Sequence, residues 1–171
     1  NTNAGEIAVC NLGSVNLLQH VANGALDAER LKRTVKTAMR MLDNVIDINF
    51  YTVPEARRSN LRHRPVGLGL MGYQDALYAL RIPFASEAAV QFADESMEML
   101  SFCAIEASCE LARERGAYAS FQGSLWSKGV LPCDSIAILQ ENRASEVKVN
   151  RSPSARLALD WDGLRERVKS V

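Results

Sequence analysis

Glu6-Ile-Ala-Val-Cys10, running on into Asn11-Leu-Gly-Ser-Val-Asn-Leu17, is the stretch on which the fold turns. Its first five residues are a short apolar run with β-branched side chains, the pattern of a buried strand. The seven that follow are rich in Asn and turn formers. They read as the exit of that strand or a loop, with Gly13 allowing a bend. Downstream, Asp27 is an N-cap for a long helix to about Asn49. Leu31, Val35, Ala38, Leu42, Val45 and Ile46 form one stripe at the helical period. Lys32, Arg33, Lys36 and Arg40 fall outside that stripe and read as a solvated face.

Thr52-Val-Pro-Glu55 breaks this helix. Arg57, Arg58, Arg62, His63 and Arg64 follow as a basic cluster, read as a surface loop; an anion or subunit contact is the sharper alternative. Pro65-Val-Gly-Leu-Gly-Leu-Met-Gly72 leads into a helical stretch at 73–80. A second long helix runs from about Ser86, which caps it, to Arg115, where Gly116 stops it. Its stripe is Val90, Ala93, Met97, Leu100, Ala104, Ala107 and Leu111. Residues 118–131 read as an irregular segment anchored by Tyr118, Phe121 and Trp126. Residues 141–156, with Ser152-Pro-Ser154, read as a polar loop, and Asp160 caps a last helix. Strands alternating with long helices indicate the α/β class.

Composition narrows the function classes. In 171 residues, 20 Lys and Arg balance 20 Asp and Glu, which argues against a dedicated nucleic-acid binder. The apolar fraction of 47% with 23% charged residues is that of a globular chain, long enough for one domain. No apolar run approaches the roughly 20 residues needed to span a bilayer. The first residue is Asn1 and the last are Arg165-Glu-Arg-Val-Lys-Ser-Val171, so both ends read as cut from a longer protein.

The four cysteines are Cys10, Cys103, Cys109 and Cys133, with no C-x-x-C pair and only His20 and His63 as histidines. That spacing suits no zinc site, and no metal ligand set is expected. Cys103 and Cys109 fall on different faces of one helix, and so sparse a set fits a reducing cytoplasm. Gly67-Leu-Gly69-Leu-Met-Gly72 matches G-x-G-x-x-G, but the dinucleotide fingerprint needs a full strand before it and an acidic residue about 20 positions on, at a strand end. Here only Val66 precedes it, and Asp94 and Glu95 lie within the second long helix. The glycines read instead as a strand or turn that another backbone or a ligand approaches closely.

Taken in order, six blocks resemble one family. They are Glu6–Leu17, Leu42-Asp-Asn-Val-Ile-Asp-Ile-Asn49, Arg64–Gly72, Glu110-Leu-Ala-Arg-Glu-Arg-Gly116, Lys128-Gly-Val-Leu-Pro132 and Asp160-Trp-Asp-Gly-Leu-Arg165. Together they resemble the large, catalytic subunit of ribonucleoside-diphosphate reductases. The class I, diiron-dependent type is nearest, although cobalamin-dependent reductases share the Cys-Asn-Leu-Gly-Ser block. The resemblance implies that residues 1–171 are a helix-rich segment of a ten-stranded α/β barrel. The strand at Cys10 would open its second half, the helix at 27–49 would cover it, and Pro65–Leu70 would be the next strand.

The same resemblance implies the chemistry. A thiyl radical abstracts a ribose hydrogen, the 2′-hydroxyl leaves as water, and a cysteine pair supplies two electrons and becomes a disulfide. Cys10 matches one member of that pair. Asn11, Leu12, Gly67 and Gly69 would lie near the substrate. The implied partners are the rest of the large subunit, a small radical-generating subunit with a diiron/tyrosyl-radical centre (or adenosylcobalamin in its place), thioredoxin or glutaredoxin, and nucleotide effectors such as ATP. The thiyl cysteine and Cys10's partner would lie upstream, so this segment alone is expected to be inactive. Cys133 stands where the family pattern leads one to expect an apolar residue such as Ile, without a functional account. The competing reading is a stand-alone helical interaction module.

Overall fold

The computed structural model describes residues 3–142 and 157–171. Element order is β1 (Asn11–Asn16), a 3-10 turn (Leu17–His20), β2 (Val21–Ala22), β3 (Ala25–Leu26), α1 (Ala28–Ile48), α2 (Pro54–His63), β4 (Val66–Met71), α3 (Tyr73–Leu80), α4 (Glu87–Arg115), a second 3-10 turn (Pro132–Asp134), α5 (Ser135–Asn142) and α6 (Trp161–Lys169). β1 and β4 form a parallel pair with Asn11 opposite Val66 and Asn16 opposite Met71. β2 and β3 form a minimal antiparallel hairpin. The polar loop expected at 141–156 begins too early, since 141 and 142 belong to the last turn of α5, and residues 143–156 lie outside the described residues.

The helix ends follow from their caps. Asp27 accepts from the Arg30 amide, Ser86 from the Ala89 amide and Asp160 from the Gly163 amide, each satisfying a donor the first turn leaves open. Pro54 starts α2 at a position where its missing N–H costs nothing. The basic cluster read as a surface loop is thus the body and C-cap of a helix.

The strand expected at Glu6–Cys10 lies five residues later in the chain. The reason is Pro65: ladder pairing runs from Asn11–Val66 onward, and one step earlier Cys10 would face a residue with no N–H to give. Residues 3–10 therefore carry no strand, and Ile7 is 49% exposed.

α1 and α4 pack side by side over one face of the β1–β4 pair, and α6 closes the far side of α4. Val15, Leu31, Val35, Met39, Met99, Leu100, Cys103, Ala107, Leu111, Leu164 and Val168 make the main core, and Phe102 meets Trp161 edge to face at 5.2 Å. A smaller core joins Leu17, Ala76, Leu77, Ala89 and Phe92. Two stripe expectations need correction. In α1, Met39 is buried while Val45 is exposed. In α4, Val90, Ala93 and Met97 face outward, and the buried set is Ala89, Phe92, Ser96, Met99 and Leu100.

The basic face of α1 is solvated, as its pattern predicts, and three of its four cations also reach carboxylates on α4. Lys32 pairs with Glu106 at 2.8 Å, Lys36 with Glu110 at 2.6 Å and Arg40 with Glu114 at 2.5 Å. Both series advance by four residues, one helical turn, so the two helices run in the same direction in register. That is the arrangement expected of successive helices over a parallel sheet.

Candidate functional site

β1 and β4 present two unlike faces. Alternation along β1 turns Asn11, Gly13 and Val15 toward the helices. A Cβ on Gly13 would meet Leu42 and Leu68 at 3.7 Å. Leu12 and Ser14 turn the other way, with Leu12 77% exposed. On β4 the two glycines share that open face: a Cβ on Gly67 would lie 2.6 Å from Leu12 Cδ2 and 4.0 Å from Cys10 Sγ, and one on Gly69 would lie 3.9 Å from Ser14 Oγ. The structure therefore brings Cys10, Leu12, Gly67 and Gly69 together. Asn11 is set apart on the opposite face, where its Nδ2 is buried without a partner.

Cys10 sits at the mouth of the ladder. Its Sγ lies 3.6 Å from both the Asn11 and Pro65 carbonyl oxygens, alternative acceptors for one weakly donating thiol proton. All four cysteines are free, and Cys10 is the exposed one. Burial pushes the Cys103 thiol up to about 11, and burial also raises Cys109 and Cys133. Cys103 and Cys109 are buried and Cys133 partly so, and that difference in access separates these three from the exposed Cys10. A cleft of about 1100 Å³ touches Cys10 from the α4 side, but Leu12, Gly67 and Gly69 do not line it.

Two polar networks around Cys10 were not anticipated from the sequence. At α2's end Arg64 adopts a left-handed conformation (φ 44°) just before Pro65. Its Nε donates to Asp43 Oδ1 at 2.8 Å, and its two Nη atoms to Asp47 at 2.8 and 2.9 Å. Arg115 of α4 reaches the other Asp43 oxygen. The Arg64 guanidinium beside Asp47 holds that carboxyl below its usual range. One arginine thus ties α1 to the turn that launches β4.

The second network holds the segment before Cys10. Glu6, its side chain 1% exposed, accepts from His63 Nε2 at 2.9 Å, from Arg62 at 3.1 Å and from the Asn3 amide at 2.9 Å. His63 Nδ1 lies 2.7 Å from Ser120 Oγ. Arg58 donates to the Gly5 carbonyl at 2.7 Å. The His63 hydrogen bond, foremost, holds the Glu6 carboxyl down at about 2. The basic cluster therefore does contact anions, and they are the chain's own carboxylates. Glu6 and His63 are 57 residues apart, and no motif or spacing in the sequence points to their meeting.

Among the described residues, no group of three or more His, Cys, Asp or Glu side chains is placed to hold a metal ion. No helix among them is long and apolar enough to cross a membrane.

The family model described as ribonucleotide reductase, barrel domain, matches residues 1–171. The ribonucleoside-diphosphate reductase subunit alpha of Chlamydia trachomatis is 53% identical over 164 residues, 96% of this chain and 15% of the relative. The large chain from Schizosaccharomyces pombe is 48% identical over 129 residues, 75% of this chain and 16% of the relative. The large subunit from Trypanosoma brucei brucei is 43% identical over 171 residues, 99% of this chain and 20% of the relative. The chain thus spans between 15% and 20% of the length of these curated relatives.

Proposed function

The chain belongs to the ribonucleotide reductase barrel-domain family, and from that premise we propose that it forms part of the catalytic barrel of a ribonucleoside-diphosphate reductase large subunit, with Cys10 as one cysteine of the pair that reduces the ribose. The observation that carries this reading is the position of Cys10: an exposed thiol at the mouth of a parallel strand pair, beside Gly67, which leaves the strand face next to it bare. A disulfide needs the second sulfur at about 2.05 Å with Cβ atoms about 3.8 Å apart. A side chain at position 67 would project into the space beside Cys10, and glycine leaves it open.

The reaction balances with two thiols. A thiyl radical on the remainder of the large subunit takes a ribose hydrogen and later returns one. The 2′-hydroxyl departs as water, taking up a proton. Cys10 and its partner thiol together give two electrons and two protons and join as a disulfide; one proton leaves in the water, and the other, with both electrons, becomes the new C2′–H bond. A dithiol reductant of the thioredoxin or glutaredoxin type then resets the pair by exchange. This chain's own part is to hold Cys10 Sγ at the open face and to keep Cys103 and Cys109 out of the exchange by burial.

The diphosphate substrate is supported by the names of the relatives, and 'subunit alpha' and 'large chain' support a second, smaller subunit, to which we assign the radical source. A diiron/tyrosyl-radical centre on that subunit supplies the initiating radical when bound; adenosylcobalamin would take its place in the cobalamin-dependent type. Four free cysteines are in keeping with a reducing cytoplasm.

The test is Cys10→Ser in the full-length large subunit, assayed with its small subunit, a ribonucleoside diphosphate and thioredoxin. Turnover should vanish while substrate binding persists. Thioredoxin-dependent turnover at the parent rate would overturn the assignment.

A further inference from the structure

We propose that Glu6, clamped by His63 and Arg62 of α2, is a positioning residue for the Cys10 thiol. The inference rests on the reading of Cys10 given above. Its ground is what holds the chain on either side of that residue. After Cys10, the β1–β4 ladder fixes the backbone. Before it, no described strand pairs with residues 3–10, and the backbone contacts are a local turn from Glu6 to Asn3 and a long 3.4 Å bond from Ile7 to Glu55. The strong restraints are side chains: Arg58 on the Gly5 carbonyl, and Arg62 and His63 on the Glu6 carboxylate.

This carboxylate is only 1% exposed and carries three partners besides the Asn3 side chain. An ionised carboxylate only accepts, so His63 Nε2 carries the proton, and in the neutral ring Nδ1 accepts from the Ser120 hydroxyl. The clamp therefore ties three pieces of chain together: the segment before Cys10, the end of α2 and the turn after α4. α2 continues through Arg64 into Pro65, whose carbonyl lies 3.6 Å from Cys10 Sγ. Both routes to the sulfur, along residues 6–10 and along residues 63–65, start at the Glu6–His63 contact.

A thiol in disulfide chemistry has strict geometric demands. Displacement by about 1 Å at a reacting group can cost about a hundredfold in rate. Loosening the clamp should therefore act on the chemical step and leave substrate affinity alone.

The experiment uses the full-length large subunit with its small subunit and thioredoxin. Glu6→Ala and His63→Ala should each lower kcat by about tenfold with KM unchanged, and the double variant should be no worse than either, as for groups acting as one unit. His63→Gln, which can still donate to the carboxylate, should recover most of the loss. In the reduced protein, iodoacetamide should label Cys10 severalfold faster in the alanine variants, read site by site by mass spectrometry. Glu6→Gln, which keeps the side chain's size, takes over both readouts if an alanine variant does not fold. Parent-like kcat together with a parent-like Cys10 labelling rate would overturn the proposal, as would losses that multiply in the double variant. Cys10→Ser separates the two readings. If that variant still turns over, the redox role fails, and the labelling rates alone decide whether Glu6 positions the thiol.

Discussion

Replacing Gly67 by Ala should leave the fold intact and slow the redox step. The new methyl would lie 2.6 Å from Leu12 Cδ2, so that group must yield by about 1 Å to restore van der Waals contact. Leu12 is 77% exposed and free to change rotamer, at a cost of about 0.5–1.5 kcal/mol. Alanine returns about 0.5–1 kcal/mol through the strand glycine's lost flexibility. The stability terms nearly cancel. The methyl also sits 4.0 Å from Cys10 Sγ, on the side from which we propose the second sulfur approaches. Overpacking of this kind costs about 1–3 kcal/mol, which at about 1.36 kcal/mol per decade is roughly a 5- to 150-fold slower step. The control is Gly13→Ala, whose methyl meets Leu42 and Leu68 at an ordinary 3.7 Å on the helix face. The assay is single-turnover product formation by pre-reduced full-length enzyme, alongside thermal unfolding. Equal rates for the Gly67→Ala and Gly13→Ala variants, or a rate loss matched by a fall in Tm, would refute the reasoning.

Arg64→Ala leaves Asp47 without its partner and Asp43 with Arg115 alone, and should destabilise the protein by about 1–3 kcal/mol in denaturant titrations; Arg64→Lys, a single point charge, should restore less than half. Leu164→Ala opens a cavity in the seam between α4 and α6, where Leu164 is fully buried, and should cost about 2–5 kcal/mol by the same titration. The acid limb of stability should carry Glu6 and Glu114. Their carboxyls are held at about 2 rather than the ordinary 4.5, Glu6 mainly by His63 and Glu114 mainly by Arg40. A depressed folded value gives stability that is present above the unfolded value and lost as pH falls between about 4.5 and about 2. Glu6→Gln should therefore flatten the stability–pH curve in that window and leave its slope above pH 5 unchanged.

The sequence announces what is local. Asp27, Ser86 and Asp160 are caps, and each makes the bond its type and position call for. The resemblance of Glu6–Leu17 to a known block singled out Cys10 before any geometry was known. What depends on partners was not legible. The apolar run at 6–10 has strand composition, yet pairing is decided across the ladder, where Pro65 cannot donate. The α4 stripe was misphased because a helix packed against α1, α6 and the α3 end hides side chains on more than one face. The charges on α1 are solvated, as read, but their pairing with Glu106, Glu110 and Glu114 depends on how the two helices align in space. Asn11 sits next to Cys10 in sequence and on the opposite face in structure, a direct consequence of strand alternation.

The placement of Cys10 one residue outside the ladder has a physical logic. A residue within the ladder would have its backbone fixed by bonds on both sides, and its sulfur could reach a partner only by rotating about χ1. A residue in a free loop would sample many positions and seldom the reactive one. Cys10 lies between these limits. Pro65 ends the pairing at Asn11, so the Cys10 backbone is released from the sheet. The Glu6 clamp, four residues back, restores the restraint through side chains that can yield by fractions of an ångström. In the proposed redox role, van der Waals contact between sulfurs gives way to a bond of about 2.05 Å, a closure of roughly 1.5 Å that two sulfurs share at under about 1 Å each. Rigidity on one side and a compliant polar clamp on the other suit a sulfur that has to travel a short, repeatable distance.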